Sequence, residues 1–188
     1  PNINRKNKTM LSPPLLAETY VAKCIWAHNP HRGLVGESMF AITEDLNIKE
    51  AVKAWHSEIR HFSFQENACT PNKVCGHYTQ IVWADTDKLA CAKHFCLRLQ
   101  KVDLPHTNVF LCNYSPIGNI AKQKPYIEGL PCSACPREYF CEDELCSEYL
   151  PVPRFLTPHI SIYRAVNKNP IAGRLADRFL GLIIPPKK

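Results

Sequence analysis

Cys75 to Cys96 reads CGHYTQIVWADTDKLACAKHFC. A glycine stands before His77; Tyr78, Thr79, Gln80 and Trp83 follow, and Cys91 and Cys96 lie in an apolar segment. Leu89 to Phe95 is short, apolar and bounded by turn residues, as is Val109 to Tyr114, and both are predicted strands. Cys91 and Cys112 would then sit on neighbouring strands, where a bridge is geometrically easy. Periodicity leaves His77 to Trp83 open, since alternation allows a strand and a short helix fits as well.

Upstream, the clearest helix begins at Asn47. Its side chain can accept from the free amides of the first turn while Glu50 reaches back, a capping box. Ile48, Val52, Trp55, Ile59 and Phe62 then form one apolar stripe, with Glu58 on its margin beside Trp55. Leu15 to Trp26 is a predicted helix on the spacing of Leu15, Thr19 or Ala22, and Trp26, with Cys24 near its end. His28 to Phe40 carries Pro30, Gly33 and Gly36 and reads as a loop leading into an extended piece, Ser38 to Ile42. Residues 1–14 are polar, basic and proline-punctuated, a flexible arm. Cys69 and Cys75 bracket a turn with Pro71 and Asn72, and a local bridge there would pin the loop before His77.

The chain of 188 residues, 45% hydrophobic and 21% charged, is long enough for one ordinary core with an appendage. Its net charge of +6 is scattered, and no basic face interleaved with aromatics argues for nucleic acid. Ten cysteines point to an oxidising, secretory setting. No signal peptide is visible at Pro1, and the most apolar run, Phe179 to Ile184, is too short to span a membrane. Asn7-Lys8-Thr9 is the favoured glycosylation sequon, because Asn113-Tyr114-Ser115 falls in an apolar run.

Cys132, Cys135, Cys141 and Cys146 cluster in a segment poor in apolar residues. A four-thiolate zinc site is one reading and two disulfides the preferred one. Beyond Ser147 the chain is proline-rich, cysteine-free and expected to be loose. Within it Ile171, Leu175, Phe179 and Leu182 share a helical face that could dock on a surface, or simply pack on the domain.

The candidate chemistry rests on Glu37, Glu58 and His77. Carboxylates beside an imidazole orient it and make it more basic, and the same geometry can place a histidine on a divalent metal. Ser115 lacks a glycine-flanked elbow, so no activated nucleophile is in view. Large aromatics at Trp55, Tyr78 and Trp83 suit a binding groove and a core equally well.

With Phe110-Leu111-Cys112-Asn113-Tyr114-Ser115-Pro116 and Gly118-Asn119 downstream, the opening stretch resembles the two signatures of the CAP superfamily, the cysteine-rich secretory, antigen 5 and pathogenesis-related 1 proteins. The likeness covers Leu15 to Cys146 and leans toward the glioma pathogenesis-related group. It implies an α+β fold, a three-layer α/β/α sandwich around a small antiparallel sheet, over residues 15–120. A cysteine-rich hinge at 121–146 and a tail at 147–188 follow, the latter with a short helix at 170–182. The family's opening helix has no counterpart here, so the sandwich is expected without it. The resemblance also favours a helix at His77. It implies bridges Cys91–Cys112, Cys24–Cys96, Cys69–Cys75, Cys132–Cys141 and Cys135–Cys146.

In the family two histidines and two glutamates meet in a cleft. Glu37 matches the glutamate of its Gly-Glu-Asn motif, with Ser38 in place of the Asn, while Glu58 and His77 match the helical glutamate and the second histidine. The first histidine is expected to be absent. His28 and His31 lie near Glu37 and could substitute, although lone loop histidines are usually solvated. A site with His77 as its single histidine would bind a divalent metal such as zinc weakly, and no other cofactor is expected. The function implied is that of a secreted, non-catalytic module binding a lipid, a sterol or a cell-surface partner through the cleft or the hinge. The alternative is a metal-dependent CAP-type hydrolase working through the Glu/His cleft.

Overall fold

The structure is a computed structural model, and it describes residues 13–142, 145–148 and 165–166. Three strands make the central sheet: β1 (Gly36–Ile42), β4 (Lys88–Leu99) and β5 (Leu104–Ser115), all antiparallel in the order β1-β5-β4. Helix α1 (Pro13–Val21) covers one face. Helices α2 (Ile48–His56) and α3 (Gly76–Ile81) cover the other, with a 3-10 turn at Ser57–His61 and a small pair, β2 (Phe62–Ser63) and β3 (Ala68–Cys69), between them.

Alternation along β5 builds both cores at once, because successive side chains leave a strand on opposite faces. Val109 and Leu111 pack with Ala17, Tyr20, Val21 and Met39 under α1. Phe110, Cys112 and Tyr114 pack with Val52, Trp55, Tyr78 and Val82 under α2 and α3. This is the three-layer α/β/α sandwich that the resemblance implies. Trp55, Tyr78 and Trp83 are 2%, 0% and 4% exposed, so all three belong to the core rather than to a groove.

Helix α1 differs from its prediction. It opens on Pro13-Pro14, which lack amide protons that the first turn would leave unbonded anyway. It closes at Val21, short of Trp26, and buries Leu16, Ala17, Tyr20 and Val21 while Leu15 is 43% exposed. The cause lies beyond the helix. Cys24 turns to φ 53°, is bridged to Cys96, and accepts at its carbonyl from Gln100 N–H, so the chain is pulled into a short parallel bridge at Ile25. In α2, Asn47 Oδ1 accepts from Lys49 N–H as expected for a cap, but the return half of the capping box is not formed. Glu50 instead accepts from Lys53 Nζ at 3.1 Å, an exposed ion pair one turn along. His77 lies in a helix, which resolves the ambiguity of period.

Strands β4 and β5 each run to 12 residues, well past the apolar runs that announce them. Polar residues such as Arg98 and His106 on the outer ribbon hide its continuation from a hydrophobicity criterion. The described bridges are Cys24–Cys96, Cys69–Cys75, Cys91–Cys112, Cys132–Cys141 and Cys135–Cys146. Since every sulfur of the 132–146 cluster is paired, the zinc reading of that cluster is set aside. The cluster holds a hairpin, β6 (Tyr139–Glu142) with β7 (Leu145–Glu148), and β8 (Ala165–Val166) adds a third strand to it. Within the segment expected to be loose, Ala165 and Val166 pair through their backbones with Ser147 and Cys146. The sequon at Asn7 and the helix expected over 170–182 lie outside the described residues.

Candidate functional site

Glu58 leaves the 3-10 turn after α2 and reaches the first turn of α3. Its Oε1 accepts from His77 Nδ1 at 2.7 Å, and its Oε2 accepts from the backbone amides of His77 (3.0 Å) and Tyr78 (3.2 Å). One carboxylate thus orients the imidazole and satisfies two otherwise free helix amides. Trp55 stacks on His77 with centroids 6.0 Å apart and on Phe110 at 5.5 Å, while its indole N–H donates to Met39 O at 3.1 Å. Burial on its own would raise the Glu58 pKa. The hydrogen bond and charge of His77, together with the two amides, outweigh it and hold the carboxyl below its ordinary value.

Glu37 sits on β1, opposite Asn113 of β5. Its side chain is 1% exposed and accepts from His28 Nδ1 at 2.8 Å, Asn29 N–H at 2.9 Å and Asn113 Nδ2 at 3.3 Å. His28, which the sequence offers as a substitute for the absent first histidine, remains in its loop and sets its ring against Glu37. The turn that carries it is itself tied down. Tyr20 O–H donates to Ala27 O at 2.8 Å, Arg32 Nη1 donates to Asn29 O at 2.9 Å, and Asn29 Oδ1 accepts from His31 N–H. Burial, and then the Glu37 charge, push the Tyr20 phenol above its usual value, which Arg32 partly offsets. His31 joins only through its backbone amide.

The two pairs are joined through β1. Trp55, stacked on His77, holds Met39 two residues from Glu37, and Gly36 lies so close to the α3 side chain Gln80 that a Cβ would collide with its amide. Each histidine donates from Nδ1 to a carboxylate, which leaves Nε2 as the nitrogen a metal would take. Among the described residues, however, no three His, Cys, Asp or Glu side chains stand close enough together to hold a metal ion. The donor set does not fit a catalytic zinc with three protein ligands.

A separate open pocket of about 630 Å³ is lined by Phe64, Ala84, Lys124, Pro125 and Tyr126, with Asp85 and Glu128 also on its walls. Phe64 and Tyr126 stack with centroids 4.6 Å apart, and Lys124 Nζ lies 4.3 Å from the Phe64 centroid. The Tyr126 hydroxyl is 3.3 Å from that of Tyr78, whose amide is one of those capped by Glu58. Burial, and then Tyr126, push the Tyr78 phenol far above its ordinary value. Sequence reading gave His28 little weight and passed over Phe64 and Tyr126. The one signal for His28 was its nearness to Glu37, and the other two meet across 62 positions of chain with no shared motif.

Residues 15–114 match the profile of the cysteine-rich secretory protein family, CAP. The chain belongs to this family. It is 47% identical over 131 residues to Peptidase inhibitor 16 of Mus musculus, covering 69% of this chain and 26% of that protein. With Glioma pathogenesis-related protein 1 of Mus musculus it shares 34% over 140 residues, covering 70% and 51% respectively. The chain thus spans about a quarter of the first relative and half of the second. Among solved structures it resembles Na-ASP-1, with a TM-score of 0.60 at 27% identity over 72% of this chain and 36% of that one. The crystal structure of NaASP2 with Zn2+ gives 0.50 at 26% identity, over 65% and 66%.

No described helix is long and apolar enough to cross a membrane. The described disulfides and the secretory family agree with an oxidising compartment.

Proposed function

We propose that the chain is an extracellular, non-catalytic CAP module that takes an apolar ligand of the lipid or sterol class in the open pocket lined by Phe64, Lys124 and Tyr126. The observation that carries this is the pocket itself: its volume lies in the range of small-molecule sites, the stacked rings of Phe64 and Tyr126 are part of its lining, and Lys124 offers a cation for a polar head. A non-catalytic role is supported by how the carboxylates are used. Glu58 and Glu37 are each occupied by a histidine and by backbone or amide donors, so neither stands ready as a general base. The test is titration of a fluorescent sterol and a fluorescent fatty acid into the full chain. Saturable binding of either, weakened at least about tenfold by Phe64→Ala with Tyr126→Ala, is expected. No saturable binding, or binding untouched by that double variant, overturns the pocket reading. The surface-partner form of the reading has a concrete target in peptidases, after the name of the 47% identical relative.

The second reading, a metal-dependent hydrolase, draws on the pairing of His28 with Glu37, which provides a second histidine, and on the Zn2+ that accompanies NaASP2 in its crystal structure. It requires zinc uptake at micromolar concentration that is lost in His77→Ala, together with turnover lost in Glu58→Gln. We expect weak uptake and no turnover.

A further inference from the structure

Cys132–Cys141 and Cys135–Cys146 close with Cα atoms 5.5 and 5.4 Å apart, and each of these cysteines has a second cysteine beside it to which it is not bonded. Cys141 and Cys146 stand directly opposite each other in the register of β6 and β7. Opposed side chains of an antiparallel pair share a face with their β-carbons about 5 Å apart, which is within reach of a disulfide. The same chain shows that geometry closed, for Cys91 and Cys112 are opposed in β4 and β5 and are bonded, with Cα atoms 4.1 Å apart. At the other end of the two bridges, Cys135 N–H donates to Cys132 O at 3.2 Å. That bond closes the turn Cys132-Ser133-Ala134-Cys135, whose ends lie within about 7 Å as in any such four-residue turn. The spacing is that of the C-x-x-C pairs which open and close in dithiol chemistry.

The four sulfurs therefore allow two pairings, the observed one and Cys132–Cys135 with Cys141–Cys146. None of the six cysteines in the other described bridges has such a second cysteine opposite it or one turn away. Access differs too. A thiolate opens a disulfide only where it can reach a sulfur. Cys141 is exposed, whereas Cys75, Cys96 and Cys112 are buried and their partners only partly exposed.

We propose that the 132–146 cluster is a thiol–disulfide exchange site that accepts a low-molecular-weight thiol at Cys141 and passes between these two pairings. The external thiolate attacks Cys141 Sγ, forms a mixed disulfide there and expels the Cys132 thiolate. Cys132 then attacks Cys135 Sγ, one turn away, which forms Cys132–Cys135 and expels the Cys146 thiolate. Cys146 attacks Cys141 Sγ across the hairpin, forming Cys141–Cys146 and returning the external thiolate. Each step breaks one S–S bond and makes one, so no oxidant or reductant is consumed. The exchange turns two cross-links between the turn and the hairpin into one within each. The hairpin, with β8 paired to it, is then tied to the turn only along the chain. The site shares no residue with the lining of the Phe64–Tyr126 pocket.

The test incubates the full chain with millimolar reduced glutathione, quenches with acid, alkylates free thiols and digests with trypsin without reductant. Trypsin cuts after Arg137, between the two halves of the cluster, so its fragments stay joined in the observed pairing and separate in the exchanged one. Glutathione is expected on Cys141 at least about tenfold faster than on any cysteine of the other three bridges. Separated fragments, each with an internal bridge, should follow. Cys135→Ser with Cys146→Ser removes the second bridge as a pair. That variant should keep the Cys141 adduct and leave Cys132 open to alkylation, which the wild type does not. A first adduct on another bridge, or wild-type fragments that stay joined throughout, overturns the proposal. So does equal alkylation of Cys132 in wild type and variant, which would show reduction without transfer.

Discussion

The pairs Glu58–His77 and Glu37–His28 use the same two side chains and the same contact, Nδ1 to carboxylate at 2.7 and 2.8 Å, yet they divide burial differently. In the first, both partners are partly covered, His77 being 29% and Glu58 16% exposed, and the carboxylate caps a helix. In the second, a carboxylate 1% exposed supports a histidine that is 55% exposed. The first pair therefore works mainly as a joint between α3 and the turn after α2. The second has its structural weight in the glutamate alone, and its histidine is presented to solvent on a rigid base. A hydrogen-bonded histidine is thus not by itself a site; the exposure of each partner decides which half of a pair is architecture.

The largest test of this contrast is Glu37→Ala. It would leave Asn29 N–H and Asn113 Nδ2 facing a buried gap, and a loss of about 3 kcal/mol in urea unfolding is expected. A loss smaller than that for Glu58→Ala would reverse the ranking of the two glutamates. Next comes Glu58→Gln, expected to cost about 2 kcal/mol at neutral pH because two charge-assisted amide bonds and the histidine bond weaken.

The same variant should change the response to acid. The folded Glu58 carboxyl lies below its ordinary value of 4.5, so the unfolded chain binds more protons in that interval. Its contribution is therefore complete above the unfolded pKa and is lost as pH falls through the lower folded one. Unfolding of the wild type monitored from neutral pH into acid should show this slope, and Glu58→Gln should flatten it. An unchanged slope would mean that another carboxylate governs acid stability.

The histidines give the smallest effects and the sharpest contrast. His77→Ala should cost about 1 kcal/mol, since it removes the Glu58 bond and the stack on Trp55. His28→Ala should stay within about 0.5 kcal/mol. Equal losses would show that the exposed histidine is architectural after all.

Much of this was legible before any coordinates. Val52 and Trp55 announce the buried face of α2 through a period that any helix must obey, and Asn47 announces its start. The apolar runs around Cys91 and Cys112 mark the centre of the sheet, where both faces are covered. Glu58 and His77 were legible as a pair through the family resemblance, not through spacing. The capping box failed at Glu50 because an exposed carboxylate has a choice of partners, and Lys53 offers a full charge. The end of α1 was misplaced because its cause, the Cys24–Cys96 bridge across 72 positions, acts from outside the helix.

By itself, then, the sequence determined most of the elements through periodicity and an oxidising, secretory setting through its ten cysteines, while the layering and the cysteine pairing were what the family resemblance implied. Only the tertiary structure decided that His28 rests on Glu37, that Phe64 meets Tyr126 beside Lys124, and that Leu97 is left bare beyond the end of β1. Such meetings depend on the paths of loops and on where one layer stops covering another. No local pattern encodes either, since each is settled by the packing of segments far apart in the chain.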